Sequence, residues 1–112
     1  VAYAFLDIHP NNPGHTLIIP KHHAENIFDI EETSLCELMA RVKKVAKAVK
    51  EGVKADGVNI SMNNERAAGQ IVPHAHFHVI PRFVGDGYTH WPQKSYKEGE
   101  AKKVADKIRA QL

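Results

Sequence analysis

The stretch VPHAHFHVIPR, residues 72–82, decides how the rest of this chain is read. Its histidines, His74, His76 and His78, recur every second residue, with Ala75, Phe77 and Val79 as the alternating apolar set. A strand sends alternate side chains to opposite faces, whereas a helix scatters them. The alternation therefore predicts a strand over 73–82, with three imidazoles on one face and an apolar set turned to a core. Rings on one face of a strand stand about 6.5–7 Å apart. Crowding disfavours protonating more than one, so some titrate below roughly 6.5. A neutral imidazole serves as nucleophile or metal ligand, and a protonated neighbour holds an anion. Two chemistries fit such a row. One is metal binding through His-x-His, with further ligands from elsewhere. The other is attack on a phosphate by one ring while the others contact its oxygens.

Working outward, VAYAFLDI (1–8) is apolar and rich in strand formers, and HTLIIP (15–20) is a second short strand closed by Pro20. HPNNPG (9–14) between them is a turn, so the two read as a hairpin. KHHAENIF (21–28) is a connection without a clear period. Leu35, Leu38, Met39, Val42, Val45, Ala46 and Val49 then follow spacings of three and four, one stripe of a long helix. Lys43, Lys44, Lys47 and Lys50 lie off that stripe. Asp29 with Glu32 resembles a capping box, and Gly52 a stop. The stripe suits packing on the chain's own sheet and, equally, a two-fold contact with a second copy. GVNISMNN (57–64) alternates as a strand, ERAAGQ (65–70) is a loop and VGDGYTHWPQKSY (84–96) is turn-rich. KEGEAKKVADKIRAQL (97–112) is a C-terminal helix with Ala101, Val104, Ala105 and Ile108 on its apolar side. The expected architecture is α+β: an antiparallel sheet of about five strands, one long helix and a C-terminal helix, in a single domain over 1–112. The opening residues are strand-like and lack a methionine, so a short native segment is expected before residue 1.

The 112 residues are 43% hydrophobic and 25% charged, ordinary for a globular domain. A formal net charge of +2 is too mild to argue for nucleic acid. No apolar run reaches the roughly 18–20 residues of a membrane span, and the opening residues do not read as a secretory n-region and h-region. The single cysteine, Cys36, excludes an internal disulfide and fits a reducing cytoplasm. Histidine, present eight times, is the compositional excess.

GQIVPHAHFHVIPR (69–82) resembles the signature of the histidine triad (HIT) superfamily of nucleotidyl hydrolases and transferases. FLDIHPNNPGHTLIIPKHHAENI (5–27) resembles the block that precedes the long helix in that family. A third histidine at His78, rather than glutamine, points away from the galactose-1-phosphate uridylyltransferase branch. The compact chain is most similar to the Hint-like and general prokaryotic branch, then to the Fhit-like diadenosine-polyphosphate hydrolases.

The resemblance implies a HIT-like fold and a cytoplasmic homodimer that requires no cofactor. It implies attack at the α-phosphate of purine nucleotide phosphoramidates or esters through a covalent nucleotidyl-histidine. His76 matches the nucleophile, whose other ring nitrogen is expected to donate to a backbone carbonyl. His78 matches the histidine that contacts the phosphate, His74 the one that supports the site, and His15 the upstream histidine that completes the set. Asp7 matches the acceptor of the ribose hydroxyls. Phe5, Ile8 and Leu17 match the walls of the base pocket, although ordinary core is nearly as good a reading. Asn63, Gly69 and Gln70 match positions near the phosphate. Ile71 departs from the family, standing where many members have a Ser or Thr. Many prokaryotic members also bind a structural zinc through two cysteines and two histidines. The histidines match His23 and His74, and the cysteine pair is not in this chain. His90 and Trp91 lie where branches diverge, on the leaving-group side. Three other readings stay open: a dinucleoside polyphosphate hydrolase, a nucleotide-binding scaffold with weak catalysis, and a metal-dependent hydrolase using the trio as ligands.

Overall fold

Four strands form one antiparallel sheet in a computed structural model that describes residues 1–112: β1 (Ala2–Leu6), β2 (Thr16–Pro20), β3 (Gly57–Ser61) and β4 (Phe77–Arg82). Their order across the sheet is β1–β2–β4–β3. Helix α1 (Glu32–Gly52) connects β2 to β3, and α2 (Glu100–Arg109) follows β4. This is the expected α+β class with one strand fewer than the expected five or so. The remaining stretch, 84–96, carries Gly85, Gly87 and Pro92 and joins no ladder.

The strand over 73–82 is shorter than its alternation suggests. β4 begins at Phe77, so His74 and His76 precede it. Their backbone is bonded elsewhere: Ala75 N–H donates to Ala24 O (2.7 Å) and His74 N–H to Val72 O (2.8 Å). The alternation survives without the ladder, because Ala75, Phe77 and Val79 are buried while the three histidines are half-buried.

One face of the sheet is covered by α1. Ile18, Leu38, Val42, Phe77 and Val79 form the buried core, flanked by Leu35, Val45, Ala46, Val49 and Val58. The helix stripe, except for the exposed Met39, therefore packs on this chain's own sheet. The expected capping box is absent. Helix α1 is capped at Glu31 without a side-chain bond. The Asp29 carboxylate instead reaches backwards and accepts from the N–H groups of Glu25 and Asn26. Gly52 is the last helical residue, and the left-handed residue after it is Lys54 (φ 55°).

Gly14 needs its φ of +104°: a Cβ there would lie 3.1 Å from Val53 Cγ1 and 3.2 Å from Pro81 Cγ. Its bareness lets the β1–β2 turn lie against β4, which delivers His15 to the sheet. Helix α2 packs on no strand and not on α1. The radius of gyration is accordingly 16.6 Å, against about 13 Å for a close-packed chain of this length. No helix is long and apolar enough to cross a membrane.

Candidate imidazole site

The face of the sheet opposite α1 carries a cluster of imidazoles. Registered partners across antiparallel strands share a face. Phe5 pairs with Leu17, Leu17 with His78, and His78 with Ser61, one row across all four strands. His15 sits just before β2, opposite Asp7, whose N–H donates to His15 O (2.9 Å). His15 and His78 thus meet across 63 residues of sequence, with His15 Nε2 and His78 Nδ1 2.9 Å apart. His76 stands edge-on to His78, ring centroids 5.0 Å apart.

His76 Nδ1 lies 2.7 Å from His74 O. A carbonyl only accepts, so the proton of a neutral His76 sits on Nδ1 and Nε2 keeps its lone pair. Burial holds both His15 and His78 below the ordinary imidazole range. For His78 the neighbouring His76 and His15 push the same way, and Asp7 opposes the shift at both rings. Asp7 Oδ2 is 3.8 Å from His15 Nε2. With His15 neutral this is a dipolar contact rather than an ion pair.

The direction of these shifts fixes a pH dependence. Below about 6.5 the unfolded chain takes up protons at these positions before the folded one does. Their contribution to stability is whole above that value and is lost as pH falls through the lowered folded-state values. The urea midpoint is expected to be level from pH 8 to 7 and to fall below about 6.5, less steeply in His78→Gln. A midpoint unchanged down to pH 5 would contradict it.

His74 does not join this cluster. Its Nδ1 lies 2.9 Å from His23 Nδ1, and its Nε2–H points at Pro20 O (3.3 Å). The three motif histidines therefore do not converge on one point. Asp7, His15 and His78 do place donor atoms within 4.8 Å of one another, but His15 Nε2 and His78 Nδ1 are engaged with each other. A structural zinc takes four nitrogen or sulfur donors. His23 and His74 fit two of the four, and no third His, Cys, Asp or Glu converges with them.

The other expected positions divide. Leu17 and Phe5 lie in the His78 row, Phe5 46% exposed on the open face. Ile8, beyond β1, is 86% exposed. Gly69 (φ +92°) lies over the Asn63 side chain, which a Cβ would meet at 3.5 Å. The buried Gln70 side chain is committed to structure: its oxygen accepts from Glu65 N–H, and its amide donates to the carbonyls of Glu25 and Val72. Ile71 is almost wholly exposed. His90 packs edge-on against Tyr88, and Trp91 is exposed. A cavity of about 480 Å³ lies along His22, His23, Asp29 and Glu37, and His76 does not line it.

Four residues passed over in the sequence support the site. Asn11 N–H donates to His15 Nδ1 (3.0 Å). Arg82 donates to Asn11 Oδ1 (2.7 Å) and Asp86 Oδ1 (2.8 Å). Asn12 Nδ2 donates to Pro81 O and to Asp86. The Phe83 N–H and then Arg82 hold the Asp86 carboxyl down at about 2. The available signals were the Asn-Asn turn and the Asp86-Gly87 pair, which mark turns without telling what they hold.

The HIT domain model matches residues 1–85. A HIT-like protein of Methanocaldococcus jannaschii is 46% identical over 90% of this chain and 73% of its own length. The adenosine 5′-monophosphoramidase of Schizosaccharomyces pombe is 35% identical over 100% of this chain and 83% of its own. A crystal structure from Streptococcus mutans UA159 superposes with a TM-score of 0.91 at 40% identity, covering 98% of this chain and 71% of that one.

Proposed function

The chain belongs to the HIT domain family, and from that premise we propose that it is a nucleotide phosphoramidase acting through a nucleotidyl-His76 intermediate. The observation that carries the reading is the His76 Nδ1 bond to His74 O (2.7 Å), which leaves the Nε2 lone pair free beside His78. In the reaction, Nε2 forms a bond to the α-phosphorus of a purine nucleoside phosphoramidate. The P–N bond to the leaving group breaks, and the amine departs with a proton drawn from solvent. Water then attacks phosphorus and gives a proton back to solvent, the bond to His76 breaks, and the nucleoside monophosphate leaves. His78 contacts the phosphoryl oxygens, and His15 backs it. Asp7 accepts from the ribose hydroxyls, with Phe5, Ile8 and Leu17 against the base. Asn63 and the Gly69–Gln70 backbone flank the phosphate. His74 supports the site through its carbonyl. No cofactor takes part in these steps. The relative from Schizosaccharomyces pombe carries the activity in its name, which supports the substrate class.

The test is a comparison of kcat/KM for adenosine 5′-phosphoramidate, a diadenosine polyphosphate and a nucleotide sugar, with and without chelator. The phosphoramidate is expected to lead, with no effect of chelator. Tight nucleotide binding without turnover would favour a binding role, to which the hydroxyl-free Ile71 lends support. Activity lost to chelator and restored by one divalent ion would replace the mechanism.

The working form is proposed to be a homodimer. A ten-residue helix is marginal alone in water, yet α2 touches no other helix or strand. Residues 94–112 hold six basic and three acidic side chains, whereas 22–40 hold five acidic and no Lys or Arg. That complementarity suits a second copy. Sedimentation at micromolar concentration is expected to give a dimer; a monomer there removes the proposal.

A further inference from the structure

The His15–His78 contact has two possible proton positions, and a group outside the imidazole cluster selects between them. Asn11 N–H points at His15 Nδ1 at 3.0 Å. A backbone N–H can only donate, so that nitrogen is bare and the proton of neutral His15 sits on Nε2. One proton fits the 2.9 Å gap between His15 Nε2 and His78 Nδ1. It comes from His15, so His78 Nδ1 is bare in turn and the His78 proton sits on Nε2. His76 has the opposite arrangement, with its proton on Nδ1 against His74 O. Two rings two residues apart thus present complementary nitrogens: a lone pair on His76 and an N–H on His78.

The Asn11 N–H belongs to an exposed turn whose neighbouring residue Asn12 is tied to Pro81 O, while the Asn11 side chain has its own tie. That tie is to Arg82. One terminal nitrogen of its guanidinium donates to Asn11 Oδ1 and the other to Asp86 Oδ1. Its plane lies over Tyr88, 4.8 Å from the ring centroid. Its Nε is buried without a partner, so the grip rests on the two terminal nitrogens. Asp86 is anchored by the N–H groups of Phe83 and Tyr88 and by Asn12. The other titratable groups facing the His15–His78 pair are Asp7 and His76. Asp7 Oδ2, 3.8 Å from His15 Nε2, favours a proton on that same nitrogen.

We infer that Arg82, gripped by Asp86, is a positioning residue: through Asn11 it holds a backbone N–H on His15 Nδ1 and so sets which nitrogen of His78 carries the proton offered to substrate. The catalytic meaning rests on the role of His78 proposed above, but the tautomers do not, and they are measurable in the free protein.

Long-range 1H–15N correlation of the imidazoles near pH 8, where the rings are neutral, reads them directly. The expected wild-type pattern is Nε2–H on His15 and His78 and Nδ1–H on His76. Asn11→Ala keeps the backbone N–H but cuts the tie to Arg82, and Arg82→Gln cuts it from the other side. Both are expected to give mixed tautomers at His15 and His78 with His76 unchanged. Loss of the partners that orient a metal-bound imidazole costs roughly 10–100-fold, and a fall in kcat/KM at the lower end of that range is expected here, for rings proposed to act without a metal. A wild-type proton on His15 Nδ1, or wild-type tautomers in both folded variants, overturns the inference. Should Arg82→Gln not fold, Asn11→Ala, at an exposed side chain, decides alone. If the enzyme proved inactive on phosphoramidates, the tautomer result would still stand or fall by itself.

Discussion

Replacing His76 by alanine is expected to lower kcat on adenosine 5′-phosphoramidate by roughly 10⁴-fold or more, the loss typical of removing a nucleophile. That is about 5.5 kcal/mol or more of barrier. The size follows from the chemistry. Without the ring there is no covalent intermediate, and water must displace the amine directly. The fold is expected to survive, because the half-buried ring makes one side-chain hydrogen bond, to His74 O, on the open side of the sheet. Nucleotide affinity is expected to change little, since other residues are proposed to meet the ribose and base. Quenching the wild-type reaction and weighing the protein is expected to reveal one added nucleotidyl group, absent from His76→Ala. Full activity in that variant would remove His76 as the nucleophile.

The largest expected effect on stability is at Leu38. This side chain is 1% exposed, at the middle of the core between α1 and the sheet. Truncation to alanine removes transfer free energy and leaves a cavity that neighbours only partly fill, a cost of about 3 kcal/mol. For a domain of this size that corresponds to a fall in Tm of roughly 10 °C or more. Urea denaturation and calorimetry check the magnitude. Sedimentation checks the location: Leu38→Ala is expected to leave self-association unchanged, because Leu38 faces the chain's own strands. Weakened association with little loss of stability would place this stripe between copies instead.

The alternation at residues 74–79 was readable in advance because it reflects a property of the backbone over two residues. It held in burial even where no ladder forms, with Ala75 buried between half-buried His74 and His76. The long helix was readable for the same kind of reason, its stripe being a local period. Its cap was not. Asp29 carries the right residue type at the right spacing, but two backbone N–H groups upstream took its carboxylate. The expected count of about five strands exceeded the four segments with a strand pattern, and the turn-rich 84–96 adds none. The Gln70 side chain bonds to the backbone of Glu65, Val72 and the distant Glu25, which no local pattern announces.

Local pattern was enough to establish an α+β chain with Ala75, Phe77 and Val79 buried and His74, His76 and His78 half-buried between them. Which imidazole meets which was a different matter. His78 meets His15, His74 meets His23 across 51 residues, and Asn11 with Arg82 stands behind His15. Parity along a chain is settled by neighbouring peptide units, so a few residues reveal it. Pairing in space is settled by the register of β1 on β2 and β2 on β4, by the bare Gly14 and by where Asp86 ties down its turn, and those depend on the whole fold at once.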